Sequence, residues 1–229
     1  MADFFANSLC PLLLTLGAFR IGQLCQAKWK TPLCNPIIVG MVLVIGFLLA
    51  TGMDPVAYRE ANKALTWLMT PATVAFAIPM YEQFRVLRKN LKAIVAGVAA
   101  GAVSCLAVLL VAGLLLGLDH RMVISILPKS VTTAIGVVLS EMSGGIGAVT
   151  TVAIIITGNF ANMMGVTFCR IFRITHPVAQ GAAFGTAGHV VATAKARELS
   201  ELTGAVSSLS LVVAGLITSV VMPMVTAFL

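Results

Sequence analysis

Hydrophobic residues follow one another in eight long stretches of this chain, and short polar turns separate the stretches. They cover residues 4–26, 34–52, 63–81, 91–118, 121–141, 146–170, 178–198 and 203–228. About 20 consecutive apolar residues suffice for an α-helix to cross the hydrocarbon core of a bilayer. The ten-residue alternation that is typical of barrel strands is absent. The pattern therefore predicts an all-α polytopic membrane protein.

Composition supports the membrane class and indicates one domain. Of the 229 residues, 59% are hydrophobic and only 10% are charged, which is too little charge for a soluble domain of this length. No long polar linker divides the chain, so residues 1–229 are expected to form a single transmembrane domain. The apolar run from Phe4 to Leu24 follows no basic segment and is interrupted by Arg20. We therefore expect a mature first helix rather than a cleavable signal.

The net charge of +7 indicates membrane orientation rather than nucleic-acid binding, because the basic residues cluster between apolar stretches. The clusters are Lys28/Lys30, Arg85/Arg88/Lys89/Lys92 and Arg170/Arg173. The positive-inside rule places all three in the cytoplasm, but eight simple spans would put the third cluster outside. The conflict resolves if segment 121–141, and similarly segment 178–198, enters and returns on one side. We expect six to eight spans with one or two broken or re-entrant segments.

The segment Ile126–Gly136 places a proline and a lysine inside an apolar run. Pro128 removes a helical hydrogen bond and predicts a helix break, and a charge at bilayer depth costs at least a few kcal/mol. The start of the half-helix that follows exposes N–H groups that favour anions, so the pattern predicts a pocket for a small carboxylate or phosphate. Alternatively, Pro128 only kinks a helix and Lys129 extends to an interface. The candidate substrate-binding residues are Lys129, Ser130, Thr132 and Thr133.

A second polar group follows in Gly185–His189, where small residues permit close helix packing. Thr186 and His189 are further substrate-binding candidates, and His189 is also a candidate proton carrier because imidazole titrates near neutral pH. The alternative is a closely packed helix with a hydrogen-bonded histidine. Asn159 is a further substrate-binding candidate. With Asn162 on the same predicted helix, it needs polar partners at depth, as part of a pore or as a link between helices.

Two prolines, Pro71 and Pro79, predict breaks or a kink in segment 63–81. Thr70 and Thr73 would then line a cavity; the alternative is a kinked helix that ends at a polar interface. Among the eight acidic residues, Glu141 is the first candidate for a proton-coupling carboxylate and Glu82 the second.

A faint internal repeat links Thr70–Pro79, followed by Glu82, to Ser130–Leu139, followed by Glu141. The two stretches are about 60 residues apart, and paired broken segments are typical of transporters with inverted repeats. An inverted-repeat transporter is therefore one possible architecture, although apolar helices also resemble one another by chance.

Catalytic and metal-binding patterns are missing from the sequence. The five cysteines are scattered without C-x-x-C or Cys/His spacing, and neither H-E-x-x-H, G-x-S-x-G nor a P-loop is present. We expect no metal, no cofactor and no enzymatic activity.

Several of these motifs together resemble the LrgB/CidB family of bacterial inner-membrane proteins, over nearly the whole chain. The resemblance rests on Asn35–Pro36, Pro79–Gln83, Ile126–Thr133, Gly185–His189 with Ala194 and Glu198, and Gly204–Leu209. One departure is Ala134, where the family commonly continues the threonine pair with a proline. That change softens the break after Thr133 but leaves Pro128, Lys129 and Ser130 in place.

The resemblance implies a multi-pass protein of the bacterial inner membrane and two alternative functions. The first is transport of small monocarboxylates, pyruvate-like in bacteria and glycolate or glycerate in the related plastid protein. The second is a holin- or antiholin-like regulator of murein hydrolase export and autolysis, which acts with a small LrgA/CidA-type membrane partner. The residues favour the transporter, with Lys129 holding the carboxylate, and a homodimer or larger homo-oligomer is expected.

Overall fold

The structure, a computed structural model, describes residues 9–29, 35–75 and 77–227. In these ranges the regular elements are helices and no strand occurs, which confirms the prediction of an all-α protein. The chain divides into two compact units, Met1–Ala75 and Phe76–Leu229. The single transmembrane domain expected over residues 1–229 stays a prediction.

The first unit contains four described helices. They are α1 (Cys10–Trp29), α2 (Pro36–Thr51), α3 (Pro55–Ala61) and α4 (Lys63–Val74). Asn35 caps α2 through a hydrogen bond that its side chain accepts from the Ile37 amide at 2.9 Å, and Pro36 occupies the first turn. The Asn-Pro pair therefore begins this helix, as the sequence predicts.

Pro71 does not end a helix, contrary to the expected break. It lies inside α4, and the Ala75 amide donates to the Pro71 carbonyl at 2.9 Å beyond it. Proline removes one hydrogen bond, which a membrane helix tolerates where neighbouring groups compensate. Thr70 and Thr73 were expected to line a cavity, but their side chains are outside the described part of the structure.

The second unit contains the remaining described helices. They are α5 (Ala77–Glu82), α6 (Phe84–Leu115), α7 (His120–Ile126), α8 (Thr133–Met142), α9 (Gly147–Ile171), α10 (Pro177–Leu199) and α11 (Glu201–Thr226). Pro79 is buried within α5 and does not interrupt that helix, because a proline in the first turn lacks only an amide that would be unpaired there. Glu82 ends α5.

Helices α10 and α11 pack closely at the centre of this unit. At Gly181 a Cβ atom would lie 2.6 Å from the Thr203 carbonyl oxygen, so the two backbones approach as only glycine permits. Most residues between Thr203 and Leu211 are buried. Ala205 and Val206 of this stretch form a hydrophobic core with Ile94 and Val98 of α6, so α11 supports the packing of the unit.

Three described helices are long and apolar enough to cross a membrane: α6, α9 and α11. Helix α6 begins at Phe84, so the basic cluster from Arg85 to Lys92, expected between two apolar stretches, forms the first turns of this helix. Helices α2 and α8 are apolar but shorter. The count of six to eight spans stays a prediction.

Two segments of the second unit are interrupted. Segment 121–141 is split between α7 and α8 by residues 127–132, and α10 has non-helical backbone at Gly188 and His189. Each is followed by a long helix, α9 or α11. The two stretches of the faint repeat begin differently, because Thr70–Pro79 is helical through Val74 whereas Ser130–Leu139 begins in the non-helical turn. The repeat stays a prediction.

Candidate functional site

The turn between α7 and α8 follows from Pro128. Proline has no amide hydrogen, so Pro128 cannot donate the next helical hydrogen bond of α7, and the chain makes single turns there. The Lys129 amide donates to the Ile126 carbonyl at 3.1 Å and the Val131 amide donates to the Pro128 carbonyl at 3.3 Å. Helix α8 then begins at Thr133 with Thr132 as its N-cap. Lys129 and Ser130 therefore precede the half-helix rather than forming its start.

Lys129 is half-buried and is weakly paired. Its ammonium donates to the Ser130 hydroxyl at 3.4 Å, and that hydroxyl also lies 3.6 Å from the Cys105 sulfur. No Asp or Glu of the described chain forms an ion pair with Lys129. A half-buried ammonium without a carboxylate partner leaves positive charge available to an anion.

Lys129 lines a cavity of about 650 Å³ between α6, α10 and the α7–α8 turn. Ser130 and Thr186, two other predicted binding residues, line the same cavity. Alanine, glycine and short aliphatic residues form most of the remaining wall. The polar lining residues are Asn90, Lys129, Ser130, His176 and Thr186.

A second cavity of about 300 Å³ lies on the other side of α10 and also reaches Lys129. Its wall comes mainly from α9 and α10 and includes three aromatic rings, those of Phe160, Phe168 and Phe184. Ala183 and Ala187 line both cavities. Lys129 is thus shared by a wide cavity and a smaller aromatic one.

The interruption in α10 centres on His189, whose φ of 45° and ψ of −142° are unfavourable for any residue with a Cβ atom. Its ring contacts explain why the conformation persists. The Nε2 atom lies 3.0 Å from the Ile154 carbonyl, and since a carbonyl only accepts, Nε2 carries the proton and donates. At Gly158 a Cβ atom would lie 2.6 Å from this ring, so glycine makes room for the imidazole.

Further hydrogen bonds close the same interruption. The Thr193 hydroxyl donates to the His189 carbonyl at 2.8 Å and accepts from the Ser207 hydroxyl at 2.8 Å. The Asn162 amide donates to the Val191 carbonyl at 2.8 Å. The imidazole of His189 is buried and is not among the residues that line either cavity. Its geometry matches the alternative of a hydrogen-bonded packing histidine.

The other candidate residues lie apart from the lysine cavity. Thr132 and Thr133 are not among the lining residues, and Thr133 is exposed. Asn159 is buried and its amide donates to its own helix at Ile155, which leaves its Oδ1 atom without a described partner. Glu82 and Glu141 are exposed at the ends of α5 and α8 and line neither cavity.

Three cavity residues were missed by the sequence reasoning. Asn90 and Cys105 come from α6, and His176 caps α10 by accepting a hydrogen bond from the Val178 amide at 3.3 Å. His176-Pro177 is a helix-start signal that was available in the sequence. The convergence of these residues with Lys129 required the tertiary packing of α6 against α10.

The fold and the cavities define a class: a helical membrane protein with a lysine in a mostly apolar cavity between helices. The chain belongs to the LrgB-like family, whose model matches residues 15–228. It is 36% identical to the antiholin-like protein LrgB of Bacillus mycoides over 98% of this chain and 99% of the relative. Proteins of the same name from Bacillus cereus and Bacillus anthracis match equally well. No solved structure matches the chain.

Proposed function

We propose that this chain acts as an antiholin-like multi-pass protein of the bacterial inner membrane. The names of its relatives support this function, and they favour it over transport because they mention no substrate. In this function the chain regulates murein hydrolase export and autolysis together with an LrgA/CidA-type membrane protein. Three long apolar helices and a closely packed helical core are compatible with it.

The geometry favours a second candidate, transport of small monocarboxylates such as pyruvate or glycolate. The observation that carries it is the ammonium of Lys129, which lies in a cavity of about 650 Å³ without a carboxylate partner in the described chain. Lys129 attracts the carboxylate, and the hydroxyls of Ser130 and Thr186, which line the same cavity, supply hydrogen bonds. A regulator that acts only by assembly needs no such lysine.

The two functions are compatible if altered carboxylate transport changes autolysis indirectly. In that case Lys129 is required both for carboxylate transport and for the change in autolysis. If the chain regulates lysis only by assembly with its partner, substitution of Lys129 leaves the lysis phenotype unchanged. Proton coupling through His189, Glu141 or Glu82 remains part of the transport proposal, although none of these side chains lines the lysine cavity.

Uptake of labelled pyruvate and glycolate into proteoliposomes tests the transport candidate, with wild type, Lys129→Ala and Lys195→Ala. Lys195 is a matched control because its ammonium is paired with Glu198 at 2.6 Å and lines neither cavity. We expect saturable uptake by wild type and Lys195→Ala and none by Lys129→Ala. Equal uptake by all three correctly inserted proteins would contradict the proposal that Lys129 binds the carboxylate.

The same variants, expressed in cells with and without the LrgA-type partner, test the antiholin-like candidate. Lysis control that depends on the partner and survives Lys129→Ala supports regulation by assembly. Lysis control lost together with uptake supports the indirect route through transport. The absence of any effect on autolysis by the wild-type chain would contradict the antiholin-like proposal.

A further inference from the structure

Neither proposed function uses the second cavity beside Lys129, called the aromatic cavity here. It is lined by Phe160 and Phe168 of α9 and by Phe184 of α10. The rings of Phe160 and Phe168 have centroids 6.2 Å apart and are tilted by 54°, a spacing at which aromatic rings pack favourably. A wall of this kind fits an apolar or aromatic group rather than a hydrated polar one.

Lys129 gives this cavity a single permanent charge among its described lining residues. The remaining residues of the wall are apolar or small, apart from the Thr157 hydroxyl and the Cys169 thiol. One ammonium next to an aromatic surface is complementary to a molecule that has a carboxylate at one end and an apolar tail at the other. The carboxylate end of the ligand would therefore lie at the turn between α7 and α8, where Lys129 is located.

Size supports the same conclusion. Cavities of about 300–1,000 Å³ usually enclose ligands much larger than a three-carbon acid, and the two cavities at Lys129 measure about 650 and 300 Å³. Pyruvate or glycolate bound at Lys129 would leave the phenylalanine-lined part of the second cavity unfilled. Among the described residues, Ala183 and Ala187 line both cavities together with the lysine, so little bulk restricts a tail there.

We propose that the site binds monocarboxylates with an aromatic or branched apolar tail. The carboxylate binds the ammonium of Lys129, and the tail occupies the cavity formed by Phe160, Phe168 and Phe184. This inference rests on the proposed carboxylate site and specifies its ligand class. Burial of the tail adds affinity in proportion to its apolar area.

Binding to the purified full chain in lipid nanodiscs tests the inference, with acetate, phenylacetate and benzyl alcohol as probes in isothermal titration calorimetry. We expect phenylacetate to bind at least about tenfold more tightly than acetate, a difference readily measured by titration. Benzyl alcohol, which has the ring without the charge, is expected to bind much more weakly than phenylacetate. Lys129→Ala is expected to abolish measurable binding of acetate and phenylacetate.

Phe160→Ala and Phe168→Ala test the place of the tail. Both side chains are at least 42% exposed, so their removal is expected to leave the fold intact. Each variant is expected to lose several-fold in phenylacetate affinity with acetate affinity unchanged. Phe84→Ala is the matched control, because Phe84 is 57% exposed and lines neither cavity.

Three outcomes overturn the inference, and they differ in what they say of the carboxylate site. Equal affinities for acetate and phenylacetate, both lost in Lys129→Ala, leave the carboxylate site standing and remove the aromatic subsite. Phenylacetate binding that survives Lys129→Ala shows an apolar site that does not recognise the carboxylate. Binding of neither acid to the wild type overturns both the transport proposal and this inference.

Discussion

The two interrupted segments of the second unit use their polar groups in opposite ways. At the α7–α8 turn, the Lys129 ammonium has one long hydrogen bond and faces two cavities. At the α10 interruption, His189 is buried, its ring donates to Ile154 and its carbonyl accepts from Thr193. The first interruption leaves charge available to a ligand, whereas the second satisfies its polar groups within the protein.

The difference shows that a broken helix by itself does not identify a binding site. Both segments contain residues that reasoning from sequence makes candidates for substrate or proton binding. What separates them is whether the polar groups are satisfied by the protein, since a buried donor with a good acceptor contributes to stability rather than to recognition. Substitutions at His189 should therefore reduce stability, and substitutions at Lys129 should reduce binding.

The largest effect on stability is expected from His189→Ala. The substitution removes the hydrogen bond to Ile154, leaves a void at the crossing of α9 and α10, and keeps a β-carbon at positive φ. We expect the free energy of unfolding to fall by roughly 2–4 kcal/mol. Thermal unfolding in detergent micelles measures this loss. An unchanged melting temperature would show that the imidazole does not hold the interruption.

Gly158→Ala is expected to have the next largest effect. The added Cβ atom would lie 2.6 Å from the His189 ring, so the imidazole must move and its bond to Ile154 lengthens. We expect a loss of about 1–3 kcal/mol, typical of overpacking. Gly97→Ala is the control, because nothing lies within 4 Å of a Cβ atom there. The same melting-temperature shift in both variants would contradict the close contact with His189.

A smaller effect is expected from Thr193→Val, which keeps the shape but removes the hydroxyl shared by His189 and Ser207. The buried His189 carbonyl and Ser207 hydroxyl then lose a partner, at a cost of about 1–2 kcal/mol. Thr151→Val is the control, because the half-buried Thr151 hydroxyl bonds only within its own helix, to Gly147. Urea unfolding in mild detergent compares the two. Equal destabilisation would refute a special role for Thr193.

Ser130→Ala is expected to have the smallest effect on stability and a measurable one on binding. Its hydroxyl is half-buried and makes only long contacts, to Lys129 at 3.4 Å and Cys105 at 3.6 Å, so unfolding should change by less than about 0.5 kcal/mol. Loss of one hydrogen bond to a carboxylate should weaken pyruvate binding by a few-fold to tenfold. Titration of pyruvate in nanodiscs measures this, and a stability loss without a binding change would contradict a role for Ser130 in binding.

The sequence predicted the interruption at Pro128, because a proline inside an apolar run is visible without knowledge of the tertiary structure. It also identified Lys129 as a candidate binding residue, because a charge is rare inside such a run. It also predicted that Gly185–His189 belongs to a broken segment. It did not place Asn90, Cys105 or His176 in the cavity, because nothing local distinguishes Asn90 and Cys105 within α6 and His176 gives only a helix-start signal. Their proximity to Lys129 depends on how α6 packs against α10.

The sequence also could not separate the binding role of His189 from its packing role. That decision depends on whether an acceptor lies opposite Nε2, and the acceptor is the main-chain carbonyl of Ile154, 35 residues away in sequence. Backbone carbonyls carry no residue-specific signal. For the same reason the sequence could not show that Asn162 links two helices, since its partner is the main-chain carbonyl of Val191.

Measuring pyruvate binding and thermal unfolding together, on wild type, Lys129→Ala and His189→Ala in nanodiscs, tests most directly how the two interruptions divide binding and stability. We expect Lys129→Ala to lose binding while its melting temperature stays near that of the wild type. We expect His189→Ala to melt earlier and, below its transition, still to bind pyruvate. Binding that survives in Lys129→Ala but disappears in folded His189→Ala would instead place the site at the α10 interruption.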